Sequence, residues 1–148
     1  MQPAIDAYLH AHAAQLGIGG VLDARYQPQV FCDANIIEIR PDGPQWRVGM
    51  MLNCGEYARH QGRLLEASLG YFMAVGQLTG RGHGGRYQVR SAQLGPDGYS
   101  PAWVHENFSS RAARWLLSTS PPTAPDPVSQ ARQAFGFPAG TVAVQWDV

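Results

Sequence analysis

Residues 46–78 read WRVGMMLNCGEYARHQGRLLEASLGYFMAVGQL, and the fold turns on whether this run is strand or helix. Its even positions Trp46, Val48, Met50, Leu52 and Cys54 are apolar and alternate with Arg47, Gly49, Met51, Asn53 and Gly55. A period of two is the signature of a strand with one face on a core. The same parity carries Glu56 onto the apolar face and Tyr57 and Arg59 onto the other. After His60, Gln61 and Gly62, a second run puts Leu65, Ala67, Leu69, Tyr71, Met73 and Val75 on one face. Glu66, Ser68, Gly70 and Phe72 take the opposite face. Gly70 so deep in a strand points to a bulge or a close backbone approach. A helix over 63–78 competes with this reading. Gly62, Gly70 and Gly76 would each cost it about 1 kcal/mol relative to Ala, which favours strand.

Working back from this hairpin, Pro41, Asp42, Gly43 and Pro44 supply turn chemistry, and residues 30–40 form the preceding strand. If Arg40 faces Trp46 across the turn, Cys32 falls opposite Cys54. Both cysteines then stand on the face of Ile36 and Leu52, and two small buried apolar side chains is the reading adopted. A disulfide is the alternative, which a reducing compartment disfavours. No CxxC or HxxxH spacing is present, so no metal site and no cofactor are expected. At the start of the chain, Pro3, Ile5, Tyr8, Leu9, His12, Ala13 and Leu16 mark an amphipathic helix closed by Gly17. Its apolar stripe needs the sheet as a partner. His10 and His12, two residues apart, point to different faces and read as a surface and a rim histidine. Residues 21–29 read as an irregular connection.

Working forward, residues 79–85 (TGRGHGG) resemble a phosphate cradle, but such a loop has to open a helix, and residues 86–94 (RYQVRSAQL) alternate like a strand. A hairpin loop is the better reading. A second Pro-Asp-Gly turn occupies 95–98. Ser100 and Pro101 then form a helix start, with Ser109 or Ser110 able to restart it after Phe108. A proline-rich strap spans 119–127, and residues 128–148 hold a short helix and a last strand, Thr141 to Trp146, that adds to a sheet edge.

The chain of 148 residues, 45% hydrophobic, suffices for one domain with a full core. Its net charge is zero and its eleven basic residues, all arginine, are dispersed, so no nucleic-acid footprint exists. No targeting segment or run of about 18 apolar residues suggests a leader or membrane span, and a cytoplasmic location is expected.

Cys54, Glu56, Tyr57, Gly62, Leu64, Ser68, Gly70, Asp97-Gly98 and Phe108 form a C-x-E-Y, G-x-L, S-x-G, D-G and Phe pattern. It resembles a group of uncharacterised bacterial proteins with a cystatin-like or NTF2-like α+β roll, over roughly residues 30–118. The resemblance implies an N-terminal helix packed on a curved antiparallel sheet, residues 1–118 here, with the strap, last helix and last strand as additions. It implies no activity, because that class holds isomerases, dehydratases and cyclases beside non-catalytic binders.

Such a roll encloses one apolar pocket, and acid-base chemistry there needs an inward carboxylate or histidine. Glu56 is the best-placed acid, with His105 or His60 as its partner histidine and Asp33 as another inward acid. Trp46, Met50, Tyr57, Tyr71, Met73 and Trp103 are the candidate ligand-binding residues. No Ser-His-Asp, Cys-His or paired-carboxylate spacing can be assembled. A non-catalytic binding protein for a small molecule or a partner chain is therefore the first expectation. An NTF2-like enzyme of secondary metabolism using Glu56 is the second. A homodimer packing sheets face to face is compatible with both, since Met50, Met51, Tyr71, Phe72 and Met73 exceed what one helix covers.

Overall fold

The run at 46–78 is a long antiparallel hairpin. In the computed structural model, which describes residues 1–80, 86–96 and 100–146, it comprises β2 (Gln45–His60) and β3 (Arg63–Thr79). Gln61 and Gly62, both at positive φ, make the turn between them. β1 (Gln29–Asp42) pairs with the other side of β2, and β4 (Gln88–Leu94) with the C-terminal half of β3. β5 (Val144–Gln145) pairs in parallel with Leu65 and Glu66 at the start of β3. The last strand does add to a sheet edge, but over two residues rather than 141–146. The result is an α+β fold with an N-terminal helix, α1 (Gln2–His12), against a mostly antiparallel curved sheet.

Two bulges decide which side chains share a face. In β3 the register shifts between the Cys54–Gly70 and Gly55–Ser68 pairs, so Leu69 is the extra residue and Gly70 takes φ +92°. Leu65 and Ala67 therefore lie with Glu56 and Ala58 on the α1 side, whereas Met73 and Val75 lie on the opposite face. The sequence reading kept all four on one face; an inserted residue reverses a period-two pattern from that point on. In β1, Arg40 pairs with Arg47 rather than with Trp46. A bulge between Ile36 and Glu38 then restores the pairing of Cys32 with Cys54. These two cysteines form a disulfide, S–S 2.08 Å, beneath α1, and are not the two free thiols expected.

Both faces are covered by the chain itself. Ile5, Leu9, Ala13 and Ile18 pack on Val48, Met50, Leu52 and Leu78. On the other face, α2 (Pro101–Asn107) and α3 (Ser110–Leu116) bury Met51, Met73 and Val75 with Val104, Phe108 and Leu116. Ser100 caps α2, as the sequence reading required, and of its two candidates Ser109 and Ser110 it is Ser109 that caps α3, each hydroxyl accepting a backbone N–H. α4 (Val128–Phe135) closes the lower part of that face over Phe31, Tyr57 and Leu64. The strap before it is stitched on by Asn35 and Asn53, which donate to the carbonyls of Thr123 and Ala124. The apolar surplus behind the dimer expectation is thus largely occupied: Met50, Met51 and Met73 are buried within one chain, and Tyr71 remains 52% exposed. The glycine-rich loop at 81–85 and Asp97-Gly98 lie outside the described residues.

Candidate functional site

Glu56 is 1% exposed, and its burial is made tolerable by backbone rather than by a cation. After α1 the chain turns through Gly17, Gly19 and Gly20, all at positive φ. This conformation aims three successive N–H groups at one point, an anion-binding nest. Glu56 Oε2 accepts from Gly20 N at 2.6 Å and from Val21 N at 3.3 Å, while Oε1 accepts from Leu22 N at 2.6 Å. A buried carboxylate is costly unless so bonded, and here both oxygens are engaged. The sequence reading took Gly17 only as the close of the first helix. The available signal was three glycines within four residues, next to a helix whose sheet partner carries an inward acid.

Beside this nest lies a cleft of about 610 Å³, lined by His10, Ala14, Ile18, Leu22, Val30 and Glu56 among others. His10, read from sequence as a surface histidine, stacks on Phe31 with ring centroids 4.4 Å apart. Its Nδ1 lies 2.8 Å from the carbonyl oxygen of Val30. A carbonyl can only accept, so Nδ1 carries the proton in that contact, and the neutral ring keeps a lone pair on Nε2. The cleft thus combines apolar walls with one imidazole fixed in orientation and tautomer.

The other expected site residues do not gather here. His105 is exposed on α2, which covers the face opposite Glu56. His60, at the end of β2, meets the ring of Tyr26 edge-on at 4.6 Å. Met50 is buried under α1 with Trp46 against the same cluster, and Met73 and Trp103 belong to the α2–α3 cluster. Tyr57 lies under α4, and Tyr71 points outward. Asp33 pairs with Asn53, and burial pushes its carboxyl up from the ordinary value.

A second acidic centre went unread in the sequence. Glu66 is 9% exposed and accepts from Gln145 Nε2 at 2.9 Å. The Tyr57 hydroxyl lies 3.2 Å from Glu66 Oε1 and 3.3 Å from Asp126 Oδ1, and can donate to only one of them at a time. Burial, reinforced by these two carboxylates, pushes the phenol far above its ordinary pKa near 10. This centre ties the strap and β5 to the sheet. No group of three or more His, Cys, Asp or Glu among the described residues is placed to hold a metal ion, and no helix among them is long and apolar enough to cross a membrane.

Comparison with family models, curated proteins and solved structures gives no match.

Proposed function

We propose that this chain is a non-catalytic binding protein whose ligand, an apolar small molecule, occupies the cleft beside His10 and Glu56. The observation that carries this reading is the state of Glu56. A proton-transfer catalyst needs a carboxylate free to meet substrate, and this one is already spent on three N–H groups. Its role is then to hold the glycine turn that forms one wall of the cleft. Apolar walls with few convergent polar groups suit ligand capture, and His10 Nε2 offers an acceptor to a ligand donor. An N-terminal helix against a curved antiparallel sheet supports assignment to the cystatin-like or NTF2-like rolls. The buried Cys32–Cys54 disulfide favours an oxidising compartment over the cytoplasm.

The second reading is an NTF2-like cyclase, dehydratase or isomerase, favoured by one observation: His10 and Glu56 line the same cleft. The test uses N-phenyl-1-naphthylamine, a neutral fluorophore with one N–H donor. Its emission should rise on the wild-type protein. It should fall at least fivefold in affinity with Ala14→Trp, which fills the cleft from its exposed rim, and weaken with His10→Ala. Fluorescence indifferent to both changes would remove the binding reading. Turnover lost in Glu56→Gln without a change in melting temperature would establish the enzymatic one.

A further inference from the structure

Three stretches along the edges of this sheet are protected to different degrees. On β1 the carbonyls of Val30, Cys32 and Ala34, at alternate positions, are taken by side chains of His10, Gln130 and Gln2. Those three carbonyls, in the first half of β1, are capped. On β4 the register shifts opposite Gln77 and Leu78 so that Arg90 is the extra residue, and a bulge with a charge is a common edge defence. On β3 the situation differs. β5 stops at the Glu66–Gln145 pair, followed by one bond from Trp146 N to Glu66 O, and β4 ends at the Ala74–Leu94 pair, followed by Gly95 N to Met73 O. Between them, from Ala67 to Phe72, the outer side of β3 has no backbone partner among the described residues. This stretch, ASLGYF, carries no charge and no proline. It presents Tyr71 52% exposed on one face and half-buried Leu69 and Phe72 on the other.

From this contrast we infer that the β3 edge from Ala67 to Phe72 is a strand-addition site for an extended peptide segment of a partner protein. The occupant follows from the geometry. Unpaired N–H and C=O groups in a row are satisfied most fully by another extended backbone. The slot is about 20 Å long at roughly 3.3 Å per residue, room for about six residues. It is recessed between β4 and β5, so the same edge of a second copy, recessed likewise, cannot reach it. The Gly70 bulge twists the edge, which a flexible segment follows more readily than a preformed flat strand does. An uncharged slot flanked by Leu69, Tyr71 and Phe72 selects an uncharged segment with apolar residues at alternate positions. This site is separate from the His10–Glu56 cleft and does not depend on the reading given to that cleft.

The test is a displayed library of heptapeptides with Val, Ile, Thr or Tyr at alternate positions, selected on the folded full chain. Binders are then made with every second amide N-methylated, which removes the backbone donors and leaves the side chains. Amide hydrogen exchange of the free protein should be fast at the outward N–H groups of 67–72. It should slow at least tenfold there with bound peptide, N-methylation should abolish binding, and the exposed change Tyr71→Lys should weaken it at least tenfold. The site is overturned by slow exchange at 67–72 in the free protein, which would mean the chain already covers its own slot. It is equally overturned by a library that yields no binder protecting these amides, or by binders indifferent to N-methylation and to Tyr71→Lys.

Discussion

Cys32 and Cys54 face each other across β1 and β2 and are joined through a register in which two irregularities cancel. The 41–44 turn pairs Pro41 with Trp46, one position away from the expected Arg40, and the bulge at Ile37 returns the strands to the pairing that opposes the cysteines. A sequence reading that assumed neither reached the same neighbours.

Because the disulfide closes a loop of sequence separation 22 within the principal core, its loss should be felt globally. The double change Cys32→Ala, Cys54→Ala is expected to lower the unfolding free energy by about 3 kcal/mol, the chain-entropy value for a loop of this size. Urea denaturation with and without reductant measures it. A wild-type protein indifferent to reductant under unfolding conditions would contradict the bond.

Gly19 is held at φ +105°, and a Cβ there would stand 2.7 Å from Val30 Cγ2 and 2.8 Å from Glu56 Oε2. Gly19→Ala therefore combines left-handed strain with displacement of the carboxylate from its nest, for a loss of about 2–4 kcal/mol. Gly17→Ala, with open space around its Cβ, should cost about 1 kcal/mol, the conformational part alone. Equal losses in thermal denaturation would mean that the Glu56 nest contributes nothing.

Tyr57 gives the fold an alkaline limit. Its phenol titrates higher in the folded than in the unfolded chain, so its contribution is fully present below about pH 10 and is lost as pH rises toward the folded value. Stability of the wild type should fall above pH 10. Tyr57→Phe should be less stable at pH 7 by about 1 kcal/mol and should lose less on going to pH 11. Parallel pH profiles for the two proteins would exclude this role.

Asp33 works in the opposite sense at neutral pH. Burial raises its carboxyl, and its charge in turn raises that of Asp6 behind burial as the larger cause. A raised carboxyl favours the folded state below its unfolded value of 3.8, and that advantage is lost as pH rises through the folded value. Asp33→Asn should therefore stabilise the protein at pH 7, by under about 1 kcal/mol for so solvated a group. The gain should disappear at pH 3; a gain that persists there would show that charge is not its cause.

What the amino-acid order determined by itself is local: the alternation of Trp46 through Cys54, the Ser100 cap and a second serine cap at 109 or 110, the apolar stripe of α1 at Ile5 and Leu9 and the glycine that marks a bulge at position 70. Each is a preference between neighbours at fixed spacing, and each is realised in the folded chain, except that α1 ends at His12 instead of running through Leu16 to Gly17. Tertiary structure alone decided the rest. Where a bulge falls sets which face every later residue takes, so Met73 and Leu65 parted company, and His105 was separated from Glu56 by the thickness of the sheet. The partners of Glu56 are backbone N–H groups 34 to 36 residues away, which no side-chain motif encodes. Whether a buried acid is a catalyst or a tie depends on what satisfies its charge, and that is fixed only when distant segments meet.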